Sequence, residues 1–222
     1  MPNAAVITGA EHILEDLAPS FASAVAIIRK REREWILQST SFELCESDET
    51  LYESVKELLS RIHKVLALYL GLYEQPLTIR ALLRLTDDDK LVARRRYATL
   101  GVNVYMPARQ AFNARTSGSL ATDVLSRSAT DPVIAEALSL VGFAATDWPR
   151  VYDIIEFLGG ERSIEKSGLA RTSEVRRVRQ TANHYRHLGN PTNYLPPSNP
   201  PTLGEASVFA KGLLKKWIAA RI

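Results

Sequence analysis

Apolar residues change their spacing several times along the first hundred positions. Ile13, Leu17, Phe21, Ala24 and Ile28 recur at helical intervals and predict a helix from Ile13 to Arg33. Its last positions, Arg29 to Glu34, alternate in charge and read as a solvated helix end. From Trp35 to Leu44 the apolar spacing falls to about two, with Thr, Ser and Phe enriched, which predicts a strand. A second helix follows, capped by Ser47, with acids in its first turn and a buried stripe of Leu51, Val55, Leu58, Leu59, Ile62, Leu66 and Leu70. His63 lies beside that stripe with no partner at metal-ligand spacing, so it reads as structural, and Gly71 ends the helix. Leu77 to Leu85 and Leu91 to Tyr105 are strand-like and flank Asp87-Asp88-Asp89. That acidic triplet lacks the staggered ligands and the glycine of a calcium or magnesium loop, so it predicts a hairpin turn and no metal. Arg94, Arg95 and Arg96 alternate along a strand, so at most two point the same way.

The polar, irregular stretch from Pro107 to Gly118 is the expected domain boundary. Beyond it the pattern is helical: Ser119 to Arg127, Pro132 to Val141, Trp148 to Leu158, Ser163 to Gly168, Ser173 to Leu188 and Leu203 to Ile222. Between the last two, Gly189 to Pro201 holds two Pro-Pro pairs and predicts an extended linker. The reading is an α+β chain, mostly α, with N-terminal helices and a small antiparallel sheet in an α/β region at 1–116, and a helical domain at 119–222.

Composition changes this picture little. Apolar residues make up 45% and charged residues 24%, values of a water-soluble globular protein. Runs such as Ala22 to Ile28 and Val65 to Leu72 are far short of the ~20 apolar residues of a membrane span. No basic segment followed by an apolar one opens the sequence, so secretion is not expected. Cys45 has no partner for a disulfide and reads as a small apolar residue of a cytoplasmic protein. Charge matters more. Residues 161–222 carry eleven Lys or Arg and four Glu, hence 11 − 4 = +7, which leaves 3 − 7 = −4 on residues 1–160. A segregated basic region attracts polyanions, of which nucleic acid is the commonest; a solvated face that serves solubility fits the same charge.

The helix from Ser173 to Leu188 concentrates that charge, with Ser173 as its cap and Gly189 closing it. At 3.6 residues per turn, Val175, Val178, Ala182 and Tyr185 share a face expected to be buried. Arg179, Asn183 and Arg186 share another with Arg176 and His187 at its edge, while Arg177, Thr181 and His184 form a third row. Cations at a helix C-terminus gain ~0.3 to 1 kcal/mol from the macrodipole, which accounts for Arg186 and His187. It does not account for Asn183, a poor residue for a helix interior. Such a set suits phosphodiester cleavage in RNA. An imidazole can take a proton from the 2′-hydroxyl or give one to the leaving 5′-oxygen, and guanidinium groups can hold the phosphate and its growing charge without a metal or other cofactor.

Arg179-Gln180-Thr181-Ala182-Asn183-His184 resembles the Arg-x4-His motif of HEPN domains, and the helical segment around it is similar in length to their four-to-five-helix bundle. The resemblance covers residues 119 to 222. It implies a metal-independent ribonuclease of the toxin–antitoxin, antiphage-defence or RNA-processing kind, with Arg179, His184 and Asn183 catalytic and Arg176, Arg177, Arg186 and His187 binding nucleic acid. It further implies RNA as partner, a homodimer that pairs two motifs, and an antitoxin or defence-complex partner. A non-catalytic HEPN-like module that binds nucleic acid, a nucleotide or a protein through the same surface is the alternative.

Overall fold

A computed structural model describes residues 2–23, 25–70, 77–97, 114–141, 147–187 and 194–222, and shows a mixed α+β chain that is mostly helical. It divides into two compact units, 1–126 and 127–222.

In the first unit the strands are β1 (Asn3–Thr8), β2 (Ala22–Ser23), β3 (Ala26–Arg31), β4 (Glu34–Gln38), β5 (Thr78–Leu85) and β6 (Leu91–Arg96). They form one antiparallel sheet in the order β2-β3-β4-β1-β5-β6. Helix α1 (Glu11–Leu17) joins β1 to this sheet's outer strands, and α2 (Asp48–Leu70) joins β4 to β5. Two split β-α-β units are thereby interleaved, with β1 between β4 and β5. Alternation along β1 sends Ala5 and Ile7 into a core shared with Leu14 and Leu17 of α1 and Leu51, Val55, Leu58, Ile62 and Leu66 of α2. Ala4 and Val6 point the other way, into a second buried cluster with Ile36, Ala81, Leu83 and Leu85.

The expected long helix from Ile13 to Arg33 does not form. It stops at Leu17, and Ala26 to Arg31 is a strand whose alternate residues Ala26 and Ile28 enter the core. The segment expected as a strand from Trp35 to Leu44 ends at Gln38 and passes into a turn of 3₁₀ helix at Thr40–Phe42. Register explains the run from Arg29 to Glu34. Arg31 pairs with Glu34 across a hairpin whose tip, Glu32, has φ of 55°, so the charges alternate across the two faces of the sheet. Ser47 caps α2 as expected, its Oγ accepting from the Thr50 N–H. His63 is buried and structural: its Nε2 accepts from the Leu77 N–H at 3.2 Å, and burial lowers its pKa to about 4. The acidic triplet is a hairpin turn, and Asp89 takes Arg29 bidentately at 2.6 and 3.1 Å. Gly71 and the strand expected beyond Tyr97 lie outside the described residues.

The expected boundary falls largely outside the described residues, but Ala114 already begins α3 (Ala114–Thr130). Leu125 of α3 packs into the core of the first unit, which carries that unit past the expected limit of 116 to residue 126.

The second unit holds α4 (Pro132–Ser139), α5 (Trp148–Phe157), α6 (Gly160–Lys166), α7 (Thr172–Arg186) and α8 (Leu203–Ala219). Local chemistry starts these helices. The Asp131 carboxylate accepts from the Val133 and Ile134 N–H groups ahead of α4, and Asp147 accepts from Arg150 at α5. Thr202 and Glu205 form a reciprocal capping box at α8. The centre is Ile154, Ile155, Ile164, Val175, Val178, Ala182, Ala210, Leu214 and Ile218, all buried. Residues 194–201, the described part of the expected linker, are non-helical.

Candidate nucleic-acid interface

Helix α7 begins at Thr172, one residue before the expected start, and the Arg171 N–H donates to the Glu174 carboxylate in place of a Ser173 cap. Val175, Val178 and Ala182 are buried as the helical period requires. Tyr185 is not. It is 40% exposed, and Thr181 takes the fourth core position, its hydroxyl satisfied by the Arg177 carbonyl at 2.9 Å. A stripe of 175, 178, 181 and 182 faces the core, which rotates residue 185 to the rim.

At that rim α7 meets α5 running antiparallel: Arg179 reaches Glu156, Arg186 reaches Tyr152 and Tyr185 reaches Trp148. Trp148, Tyr152 and Glu156 are four residues apart and share one face of α5. The Trp148 and Tyr185 rings stack with centroids 4.8 Å apart and 9° between planes. Tyr152 receives two guanidinium groups, that of Arg186 at 4.8 Å from the ring centroid and that of Arg179 at 5.5 Å.

Arg179 is tightly held. Its Nε donates to Glu156 at 2.7 Å, Nη1 lies 3.6 Å from Glu161, and Nη2 donates to the Tyr152 hydroxyl at 3.4 Å. The Glu156 hydrogen bond raises its pKa further. Glu161 also accepts from Arg176 at 3.0 Å. The turn between α5 and α6 brings the two carboxylates together; Gly159 sits there at φ of 83°, where a Cβ would lie 2.6 Å from the Ser163 hydroxyl. Among the described residues, no carboxylate lies within ion-pair distance of Arg177 or Arg186; at longer range Arg177 adds to the hydrogen bonds from Thr202 that hold the Glu205 carboxyl below its usual range.

The two histidines of α7 turn to the segment after it. His184 Nδ1 lies 2.6 Å from the Tyr194 carbonyl, and the His187 ring stacks on the Tyr194 ring at 4.5 Å. A carbonyl can only accept, so Nδ1 is the donor, and in the neutral ring the lone pair then lies on Nε2. The His184 ring also meets Tyr185 edge-on, with centroids 5.0 Å apart. Asn183 is half-buried on the same turn.

Of the residues expected in the site, His184, Arg186 and His187 therefore cluster at the C-terminal end of α7, while Arg179 and Arg176 turn toward α5 and α6. Among the described residues, Arg179 and His184 share no hydrogen-bond partner. Trp148, Tyr152, Glu156, Glu161 and Tyr194 escaped the sequence reading, although the i, i+4, i+8 spacing of Trp148, Tyr152 and Glu156 was visible there. Among the described residues, no three His, Cys, Asp or Glu side chains converge as metal ligands, and no helix is long and apolar enough to cross a membrane. Comparison with known protein families, with characterised proteins and with solved structures finds no match to this chain.

Proposed function

We propose that the C-terminal unit is a HEPN-like module that cleaves RNA without a metal, with His184 as the proton-transfer group. The hydrogen bond from His184 Nδ1 to the Tyr194 carbonyl carries this reading, because it holds the ring in the tautomer whose Nε2 can accept a proton. In the proposed reaction Nε2 takes the 2′-hydroxyl proton and the 2′-oxygen attacks phosphorus. The bond to the 5′-oxygen breaks as a water molecule protonates that oxygen and takes the proton back from the His184 imidazolium, leaving a 2′,3′-cyclic phosphate and a 5′-hydroxyl. Arg177 and Arg186 offer charge to the phosphate, and Arg179 joins them when the phosphate displaces Glu156 and Glu161. The described helices α4 to α8, with α5 packed on α7 and α8, accord with the bundle that the Arg-x4-His resemblance implies. Pairing of two α7 helices in a homodimer would bring Arg179 of one chain toward His184 of the other.

The test is cleavage of labelled RNA in EDTA. His184→Ala is expected to lower the rate by about 10² to 10⁴ while RNA retention persists; an unchanged rate overturns the catalytic assignment. The second reading, a module that binds RNA without cleaving it, is favoured by the double carboxylate hold on Arg179. It predicts salt-dependent retention with no cyclic phosphate product. Charge reversal at Arg177 and Arg186 that leaves RNA affinity untouched overturns both readings.

A further inference from the structure

The aromatic groups around His184 take no part in proton transfer, yet they are arranged around it. Tyr185 follows it in α7, 40% exposed and stacked flat on the half-buried Trp148 of α5. Arg186 comes next, its guanidinium over Tyr152. A ring that served only to brace α7 against α5 would be covered, as Val178 and Ala182 of the same helix are. Instead, ring surface, a planar cation and an imidazole present themselves side by side.

This chemistry discriminates between forms of RNA. A duplex shows a protein its phosphates and 2′-hydroxyls, with its base faces hidden in the stack. Single strands offer splayed bases, and aromatic rings and arginine planes receive them with little regard to sequence. We propose that the Trp148–Tyr185 pair is a stacking subsite for an unpaired nucleobase, beside the phosphate that His184 would address, so that the substrate is single-stranded RNA. Arg186 and Arg177 supply the backbone contact. This proposal rests on the RNA reading of α7 given above.

The full chain is titrated with a short 2′-O-methyl oligoadenylate, which cannot form a cyclic phosphate, and with a duplex of equal length. Single strands are expected to quench tryptophan fluorescence, and Trp148→Phe to remove that quench. Tyr185→Ala is expected to weaken single-strand binding about tenfold, as is Tyr185→Leu, which keeps the bulk without the ring, while Tyr185→Phe restores it. Duplex affinity stays as in the parent. Circular dichroism and the melting temperature of each variant check that α7 still folds. Parent-like single-strand binding by both Tyr185→Ala and Tyr185→Leu overturns the subsite. If Arg177→Glu and Arg186→Glu still weaken binding, the RNA reading survives that loss; if they have no effect, it falls as well.

Discussion

Among the described residues, five of the seven arginines on the sheet's strands pair with carboxylates from distant parts of the chain, whereas on α7 two of four do. Arg29 and Arg31 close on Asp89, Arg94 takes Glu34 through two bonds of 2.7 Å, and Arg84 and Arg95 reach Asp48 at the start of α2. These pairs join β3 to the β5–β6 turn and β4 to β6, so charge there locks register. On α7, Arg176 and Arg179 are paired, while Arg186 lies over the Tyr152 ring and Arg177 is exposed. The two histidine environments differ in the same way. His63 is enclosed and made a poor base by desolvation; His184 is half-buried, with one nitrogen tied to a carbonyl. Similar residue types thus hold a fold together in one unit and, in the reading proposed above, would meet RNA in the other.

The comparison breaks most clearly at the histidines. Loss of RNA cleavage by the His184→Ala variant, set out above, is the largest expected effect. For His63 the expected effect is on stability. Its folded pKa of about 4 lies below the ordinary value of 6.5, so between these pH values the unfolded chain binds a proton that the folded chain refuses. Stability is therefore full above pH 6.5 and falls as the pH drops toward 4, by about 3 kcal/mol from this residue. Thermal melting between pH 7 and pH 4.5 checks it: His63→Gln should flatten the profile, and an equally steep fall in the variant would rule His63 out as the cause.

Glu34→Gln tests the sheet. Arg94 and Glu34 are only 22% and 26% exposed, so removal of one charge should cost about 1 to 2 kcal/mol by chemical denaturation at neutral pH. Because Arg94 holds the Glu34 carboxyl below its usual range, that contribution is present above the ordinary carboxylate pKa. It is lost as the pH falls through the depressed value. Glu156→Gln is the matching change on α7. Arg179 and Glu156 are 36% and 43% exposed, so stability should move by less than about 1 kcal/mol, while RNA retention rises because Arg179 is released. A variant that loses stability as Glu34→Gln does, without a gain in retention, would erase the distinction between the two regions. The smallest effect belongs to Lys56→Ala, whose pair with Glu53 is more than 60% exposed on both sides; its melting temperature should equal the parent's.

Much of the second unit was legible because its signals are local. Asp131 and Asp147 before prolines, the Thr202–Glu205 box and helical periodicity start α4, α5 and α8 close to where they were expected. The first unit was less so. Ala26 and Ile28 belong to a strand, but Phe21, Ala24 and Ile28 also satisfy a helical period, and the turn at Glu32 carries no glycine or asparagine to announce it. The site was half legible. His184 and Arg186 stood out by type and spacing, whereas Tyr194 and Glu156 join the site through contacts 10 and 23 residues away in sequence.

By itself, the sequence determined that the second unit is helical, where α4, α5 and α8 begin, and that positive charge gathers in the last third of the chain. Each of these follows from backbone propensity, capping and composition within a few residues. Tertiary structure alone decided which arginines meet carboxylates, which nitrogen of His184 donates to a carbonyl, and that Tyr185 stands at the rim while Thr181 is buried. Those outcomes depend on partners brought together by the packing of α5, α6 and α7, and no local pattern encodes such a meeting.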